Sequence, residues 1–515
     1  MNGNCTVPVV VEGGGDGAVA HVGLHALGSF ADRLGVGHSL SKSIAWTGER
    51  APVHDRGKVL VQAMLMLAGG GEACTDIEHL RSQTSLFGSV PSDSTLHRTF
   101  HQLDAETRAG LWDAIAGVRA EVWSRSSATT GTGDVVLDID ASLHEIHSEN
   151  KAGTAPHYKG GFGFHPIYCF ADATGECLSE TLRPGNAGAN TITDHVEVLD
   201  QAIAGLPEEI AKGHRLGDAP GLVERRVRVR TDSAGCTNFV WDCRERNVGF
   251  SVVARSNTSV HAAISRVRFD DEAWQPALTQ AGEPRPAAAV AELTEFVDLT
   301  GWPPGTRLIV RREPLHQGAQ GSLFPSETFR YWGHYTDSSA DPVDADLDMR
   351  GHARVEDNIH RLKDSGASRF PFTDLDANRA WLDVVAFADA LVRWFQLLCV
   401  PGRFATAEPK TMRWGFWHTP ARLIRHARRN IVRIIDGWPT TAEILTAYQR
   451  IAAHLNSLAA AAEHSPPGHP RHLQRVQKRS PRVNDQGHNL DDHEIGRRPI
   501  TAIPIKQSQA DSTFS

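Results

Sequence analysis

The sequence predicts an α/β fold in which a mixed β-sheet is flanked by helices. The first observation is a run of three strands, the alternating VVLDID followed by FGFHPIYCFAD and ECLSETLRPG. The second is the order that follows, because a helix over about 193–204 leads to the strand RVRVRTDS, and a helix over 240–246 leads to the strand GFSVVA. Three strands in a row and then alternating helix and strand indicate one sheet with helical cover.

This order of elements is the one expected of an RNase H-like catalytic core, and it organises the remaining segments. Changes in composition and periodicity divide the chain into an N-terminal strand and turn (1–19), a helical domain (20–130), the first part of the core (131–260), a β-rich insertion (261–345), the second part of the core (346–400), a C-terminal helical region (401–463) and a disordered tail (464–515).

The N-terminal segments read as a strand over 5–12, a glycine-rich turn and then helices. Gly13, Gly15 and Ala18 fit the spacing of a dinucleotide-binding turn, but no second strand ending in an acidic residue follows, so a simple turn is predicted. Further helices are expected over Lys58–Ala68 and Thr75–Gln83, and a third over TLHRTFHQL, capped by the residues from Ser92 to Ser94. These short helices fit a helix-turn-helix-like DNA-binding module or a plain helical packing domain.

The stretch Met349–Asp364, MRGHARVEDNIHRLKD, predicts a helix with one acidic residue on a basic face. At 100° per residue, an apolar stripe lies beside a polar band. The stripe consists of Val355, Ile359 and Leu362, and the band consists of His352, Glu356, His360 and Lys363. Gly366 and Pro371 end the segment. A later long helix is expected within residues 372–398, with Asp374 or Asp376 as its N-cap.

Residues 411–463 predict a basic helix, with Thr419 as the cap and Pro420 at its first position. On a helix, the arginines would share one side and the apolar residues the other. The arginines are Arg422, Arg425, Arg429 and Arg433, and the apolar residues include Leu423, Ile424, Ile431 and Ile434. Both a solvated charged face and contact with phosphates remain open.

Composition indicates a globular cytoplasmic protein. The 515 residues are 40% hydrophobic and 22% charged, with a formal net charge of −8, which argues mildly against a nucleic-acid binder unless the basic residues are gathered locally. The start lacks a basic, apolar leader, and the apolar run Val384–Val400 contains Asp389 and Arg393, so it predicts a buried helix and no membrane partner. The seven cysteines are expected to be reduced thiols; Cys236 and Cys243 with a histidine are the alternative, a zinc site.

Three carboxylates stand on separate predicted elements. Asp140 ends the first core strand, Asp232 ends the strand RVRVRTDS, and Glu356 lies on the basic helix. No His or Cys ligand set accompanies them, which suggests hard divalent cations such as Mg²⁺. Two such ions activate an attacking water or 3′-hydroxyl and stabilise the leaving oxygen. Asp138 lies on the same side of the strand as Asp140 and is the alternative first ligand.

The chain resembles bacterial insertion-sequence transposases of the Asp-Asp-Glu class, most closely the insertion-sequence thirteen-eighty family. The resemblance extends over nearly the whole chain before the tail and is carried by VVLDIDASLHEIHSENKAG, GFGFHPIYCFADATGE, LRPGNAGANT, VRVRTDSAG and HARVEDNIHRLKDSG. It implies Asp140, Asp232 and Glu356 as catalytic metal ligands, with Asp140 preferred because Ala141 and Ser142 follow it.

Related transposases carry a Tyr-x2-Arg-x3-Glu-x6-Lys signature around the glutamate. Lys363 matches its last position and would contact DNA phosphate. Met349 and His352 stand where the signature has Tyr and Arg, so Arg350 or Arg354 would have to substitute.

The resemblance implies a transposase that binds the terminal inverted repeats of an insertion sequence, cleaves the ends and joins the 3′-hydroxyls to target DNA with two Mg²⁺ ions, for which Mn²⁺ would substitute. The partners would be double-stranded DNA and, in the synaptic complex, a second copy of the chain. Trp302 and Trp332 would stack on an unpaired base or simply pack in the core. A catalytically silent DNA-binding derivative and a metal-dependent nuclease with the same core are the alternatives.

Overall fold

A nine-stranded mixed sheet organises the computed structural model of the chain. The structure describes residues 14, 16–45, 52–148, 150–157, 159–188, 191–232, 237–315, 329–427 and 429–463. The strand predicted over 5–12, residues 13 and 15 of the predicted turn, residue 236 and the tail predicted over 464–515 lie outside these residues. The elements below belong to one unit, Met1–Ala461, apart from the end of the last helix.

The N-terminal part of the chain is helical, as predicted. Its elements are β1 (Ala18–Val19), α1 (Val22–Arg33), α2 (Val36–Ser43), α3 (Arg56–Ala68), α4 (Glu78–Arg81), α5 (Thr84–Phe87), α6 (Asp93–His101) and α7 (Ala105–Trp123). The expected second helix consists of a 3₁₀ turn, Cys74–Ile77, that runs into α4. Ser92 caps α6 as predicted, because its hydroxyl accepts a hydrogen bond of 3.2 Å from the backbone N–H of Thr95.

The core follows as a mixed sheet with helical cover. Its elements are β2 (Val135–Ala141), β3 (His144–Glu145), β4 (Ala155–Pro156), β5 (Phe162–Phe164), β6 (Ile167–Ala171), β7 (Cys177–Thr181), α8 (Ile192–Ala204), α9 (Glu208–Ala211), β8 (Val227–Thr231), α10 (Thr237–Glu245) and β9 (Gly249–Ala254). Strands β7, β6 and β2 are antiparallel neighbours, whereas β2, β8 and β9 run parallel. Three strands in sequence followed by two parallel strands form the predicted RNase H-like arrangement, and the fold-class prediction is confirmed.

The β-rich segment extends the same sheet. It contains α11 (Thr258–Val267), β10 (Gln275–Leu278), β11 (Pro284–Glu292), β12 (Arg307–Pro314) and β13 (Phe329–Thr336). Each strand pairs antiparallel with the next, and β13 pairs with β9 of the core. At this junction the buried hydroxyls of Ser251 and Thr336 lie 2.9 Å apart in a hydrogen bond.

Three helices return the chain to the core, α12 (Pro342–Arg350), α13 (Arg354–Leu362) and α14 (Leu375–Leu398). Asp374 is the N-cap of α14, accepting a hydrogen bond of 2.8 Å from the backbone N–H of Ala377, which settles the choice left open with Asp376. Helix α14 packs against β7 on one side and against α1, α3, α6 and α7 on the other. It contains most of the predicted apolar run. None of the described helices combines the length and apolar character that a membrane crossing needs.

The prediction of a basic helix after Thr419 is wrong. The C-terminal region contains α15 (Pro409–Met412), a hairpin of β14 (Ala421–His426) and β15 (Arg429–Ile434), and α16 (Thr441–Glu463). Instead of capping a helix, the Thr419 hydroxyl donates a hydrogen bond of 3.0 Å to the carbonyl of Phe416. Strand β15 contains three β-branched residues, Ile431, Val432 and Ile434, which favour extended backbone and outweigh the helical spacing of the arginines.

Candidate active site

The first two carboxylates follow neighbouring parallel strands. In the register of β2 and β8, Ile139 lies opposite Thr231. Asp140 and Asp232 are therefore each the next residue, at the same edge of the sheet. Asp140 is half-buried and Asp232 is exposed. The residues after Asp232, 233–236, lie outside the described part of the chain. The sheet thus brings together the two aspartates that the sequence predicted.

The third carboxylate is carried by α13. Val355, Ile359 and Leu362 are buried and hold this helix on the core, as the predicted apolar stripe requires, while Glu356 is exposed. The expected helix over 349–364 is not continuous, because a 3₁₀ turn, Gly351–Ala353, precedes α13 and a π turn, Lys363–Ala367, follows it.

The carboxylates interact electrostatically. Burial raises the pKa of Asp140, the negative charge of Asp232 raises it further, and Glu356 adds to the effect. His352 and the backbone N–H of Ala141 oppose the shift, and the pKa reaches about 7. A carboxyl that holds its proton this tightly faces an excess of negative charge. This excess is what a bound cation would relieve.

Asp138 has different surroundings from Asp140. It is 1% exposed, and the Arg230 guanidinium donates two hydrogen bonds to its carboxylate, at 2.8 and 2.7 Å. His352 Nδ1 lies 2.8 Å from the same carboxylate. Burial alone would raise the pKa of Asp138, but the hydrogen bonds from His352 and Arg230 hold it below its ordinary value. Asp138 is thus occupied as the acceptor of a buried ion pair.

His352 joins this network from the turn before α13. The sequence placed it on the polar band beside Glu356, but its side chain is buried against Asp138. Because ionised Asp138 accepts only, Nδ1 carries the proton of that hydrogen bond. The opposite nitrogen, Nε2, is buried without a hydrogen-bond partner among the described residues.

Lys363 and Arg354 both lie next to this edge of the sheet. The Lys363 ammonium donates to the Ser142 hydroxyl at 2.8 Å and to the carbonyl of Leu143 at 3.1 Å, just beyond β2. Burial lowers the pKa of Lys363, and the charge of Asp140 opposes this. Arg354 is exposed and binds the Asp172 carboxylate, at 2.5 Å. Both cations have protein partners in this structure.

The remaining predicted DNA contacts lie on the C-terminal hairpin. Arg422, Arg425 and Arg429 are all exposed. Arg422 and Arg429 share one face of the hairpin, whereas Arg425 alternates with its neighbours onto the other. They therefore do not form the single helical row that the sequence suggested.

Both candidate stacking residues pack against neighbouring side chains. The ring of Trp302 lies 4.2 Å from that of Tyr335, and the Arg311 guanidinium lies 5.1 Å from the centre of the Trp332 ring. Each indole is partly exposed. These contacts fit the packing role that the sequence also allowed.

Arg230 is the residue that sequence reasoning missed. It binds Asp138, and its other contacts are the Asp172 carboxylate at 2.8 Å and the carbonyl of Asp348 at 2.6 Å. The signal was the strand VRVRT, because an arginine alternating inside a buried parallel strand needs a buried acid as its partner.

The chemistry of the three acidic side chains fits a hard divalent cation, but the side chains are not arranged to hold one in this structure. Asp140, Asp232 and Glu356 offer only carboxylate oxygens, which Mg²⁺ prefers. Within the described ranges, no group of three or more His, Cys, Asp or Glu side chains is arranged to hold a metal ion. Binding would therefore require the three side chains to rotate towards one another.

Comparison with known proteins identifies a protein family that the chain matches. The chain matches the family model described as transposase DDE domain group 1 over residues 4–456. Among solved structures it is similar to the cryo-EM structure of the piggyBac transposase synaptic complex with hairpin DNA, with a TM-score of 0.39 and 9% sequence identity, over 88% of this chain and 85% of that one. No curated protein matches. The region matched by the family model includes β2, β8 and α13.

Proposed function

Because the chain belongs to the family of transposases with a DDE domain of group 1, we propose that it is an active DNA transposase with Asp140, Asp232 and Glu356 at its catalytic centre. The observation that carries this proposal is that Asp140 and Asp232 follow adjacent parallel strands at one edge of the sheet, and that Glu356 of α13 is near enough for its charge to raise the pKa of Asp140. The substrates are the terminal inverted repeats of an insertion sequence and a target duplex, and the proposed subgroup is the insertion-sequence thirteen-eighty family.

In this proposal, the three carboxylates would hold the metal ions. When two Mg²⁺ ions are bound, they supply activation of the attacking hydroxyl and stabilisation of the leaving oxygen. Asp140 and Asp232 present their oxygens from adjacent strand ends, and Glu356 presents its own from α13. Mn²⁺ has the same ligand preference and would substitute.

Asp140 is favoured over Asp138 as the first ligand. Arg230 and His352 already occupy the oxygens of Asp138. Within the described part of the chain, Asp140 accepts a hydrogen bond from the backbone N–H of Ala141, and burial followed by the charge of Asp232 raises its pKa. Asp138 acts instead by orienting His352 and Arg230 beneath the site.

Lys363 and Arg354 are proposed to bind phosphates of the cleaved strand. Lys363 lies close enough to Asp140 for the carboxylate to oppose the lowering of the Lys363 pKa by burial. The ammonium charge is therefore beside the reacting groups. Arg354 is half-exposed and two residues from Glu356. Contact with DNA would exchange their present partners, Ser142 and Asp172, for phosphate oxygens.

Cleavage of an end duplex tests the proposal. We expect Asp232→Asn and Glu356→Gln to abolish Mg²⁺-dependent cutting of a labelled duplex carrying the inverted repeat that flanks the gene, while binding to that duplex persists. Cutting at the parental rate by either variant would refute the site. Cutting without joining to a target duplex would identify a nuclease, and binding without cutting by the parent would identify a silent derivative.

The assembly and location follow from the same proposal. Two transposon ends must be held together for joining, so we expect two copies of the chain on a pair of end duplexes, in the cytoplasm of a bacterial cell and at its nucleoid. Light scattering of the protein with the end duplex measures the stoichiometry, and a mass of one chain per duplex at saturation would contradict it.

A further inference from the structure

The β14–β15 hairpin has two faces of different character. Leu423, Val432 and Ile434 lie on the inner face, are partly buried and pack against the hydrophobic core. The outer face is formed by cross-strand pairs, which are Arg422 with Arg433, Ile424 with Ile431, and His426 with Arg429. The inner face anchors the hairpin, so the outer face is held in a fixed orientation towards solvent.

The outer face places basic residues opposite one another, and one of these pairs, Arg422 with Arg433, consists of two like charges. Arg422 lies across from Arg433, and His426 lies across from Arg429. Like charges directly opposite in a sheet are destabilising, and no acid alternates with them along either strand. Within the described part of the chain, Arg429 and Arg433 have no carboxylate partner, and Arg422 donates only to the carbonyl of Asp16, at 3.3 Å. An external anion would relieve this repulsion.

Between the two basic pairs lies an apolar pair. Ile431 is 39% exposed, and Ile424 is partly exposed beside it. The basic pairs are four residues apart along each strand, which corresponds to about 13 Å of extended chain. This distance is close to the width of the major groove of B-DNA, about 12 Å, which admits a two-stranded β-ribbon.

We propose that the outer face of the β14–β15 hairpin binds the major groove of duplex DNA. The two basic pairs contact the phosphates that border the groove, and Ile424 and Ile431 contact base edges between them, where the thymine methyl group is the apolar feature available. The inference rests on the proposed function, because it gives the DNA contacted by the catalytic core a second holding point.

The occupant is DNA on grounds of charge and spacing. The hairpin is a local concentration of arginine in a chain whose net charge is −8. Its two pairs each contain at least one arginine and match the repeated phosphates of a duplex, while a protein surface would need acids at the same separation.

Binding of duplex DNA as a function of salt tests the proposal, and Arg425 supplies the matched control. We compare the full chain, the double variant R429Q/R433Q and the single variant R425Q by fluorescence anisotropy, with a labelled mixed-sequence duplex and EDTA present. Since each phosphate contact contributes about 0.9 to the slope of log K against log salt, the double variant is expected to lower the slope by about 1.8. R425Q is expected to leave it unchanged.

An equal loss of slope in R425Q, or an unchanged slope in R429Q/R433Q, would overturn the proposal. Unaltered thermal melting of each variant shows that the hairpin still folds. The groove is tested with a duplex in which uracil replaces thymine, because this removes only the methyl group from the major groove. If the parent binds the uracil duplex more weakly than the thymine duplex, and Ile431→Ser binds the two equally, the contact is supported. If the parent binds both duplexes equally, the contact is refuted.

The same measurements separate this inference from the proposed catalysis. Binding in EDTA requires no metal ion, so the salt slope is measured independently of cutting. A parent that cuts no DNA but loses slope in R429Q/R433Q would refute the catalytic proposal alone. A parent that cuts DNA while R429Q/R433Q keeps its slope would refute the hairpin proposal alone.

Discussion

At the scale of single residues, the two aspartates of β2 show how position decides chemistry. Asp138 and Asp140 point to the same side of the strand, so alternation in the sequence could not separate them. The neighbouring strand separates them, because Arg230 lies opposite Asp138 whereas Asp232 follows at the level of Asp140. One carboxylate is neutralised inside the protein, and the other is left with like charges.

This difference predicts opposite effects of two matched substitutions. Asp138→Asn should lower the free energy of unfolding by about 3 kcal/mol, because it leaves the buried charge of Arg230 with less compensation. Asp140→Asn should leave stability equal or higher, because it removes like-charge repulsion, while abolishing DNA cleavage. Urea unfolding and cleavage of an end duplex measure the two quantities. The reverse pattern would exchange the roles of the two aspartates.

A second residue-scale prediction concerns Glu180 on β7. Its carboxyl group is buried beside that of Asp383. Burial, and then the charge of Asp383, raise its pKa well above 4.5. The folded state therefore holds this proton more tightly than the unfolded state, and the contribution of Glu180 to stability falls as pH rises above about 4.5.

Glu180→Gln removes this titration. Its stability relative to the parent should therefore increase from acidic to neutral pH in urea unfolding. Glu176 is the control site, since it is buried but hydrogen-bonded to Arg119, at 2.9 Å. A stability difference between Glu180→Gln and the parent that stays constant with pH would show that Glu180 is ionised in the folded protein.

At the scale of elements, capping residues in the sequence predicted where capped helices begin. The spacing of residues failed as a predictor where it fitted both a helix and a strand. Ser92 was identified from the sequence, and the two candidates for the N-cap of α14 included the one observed. After Thr419, the arginine spacing fits a helix and the β-branched residues fit strands. The turn between β14 and β15 lacks an Asn-Gly or similar sequence that would have predicted it. Ala427 stands there instead, with a φ of 48°. The hairpin was therefore invisible to periodicity alone.

The cap of α14 can be tested against its neighbour. Asp374→Ala should lower the free energy of unfolding by about 1 kcal/mol, because the backbone N–H of Ala377 loses its acceptor. Asp376→Ala should cost less, since Asp376 is exposed and forms only a surface ion pair with Arg379, at 2.8 Å. Urea denaturation of the two variants compares them, and equal losses would contradict the assignment of the cap.

At the scale of the whole molecule, the order of strands and helices was enough to predict the class of fold. The sequence did not show which strands pair with one another. The β-rich segment was predicted as an insertion, and the sequence did not indicate that its strands β10–β13 continue the core sheet through the pairing of β13 with β9. Strand pairing depends on contacts between distant residues, and no local pattern encodes them.

A continuous sheet predicts cooperative unfolding. Backbone amides of β8 and of β12 should exchange with deuterium through the same global opening, because no break in hydrogen bonding separates them. Peptide-level hydrogen exchange by mass spectrometry in increasing urea measures this. Exchange of β12 at a distinctly lower free energy than β8 would show that the β-rich segment unfolds as a separate domain.

The dispersal of the three carboxylates along the chain also bears on synthesis. A ribosome releases Asp140 and Asp232 early, but Glu356 emerges only after the whole β-rich segment, and α14 must follow before α13 has its packing partner. Contacts of such high sequence separation form late, since the intervening loop must be closed first. A chain that ends before Glu356 would thus lack the third acid of the proposed catalytic centre.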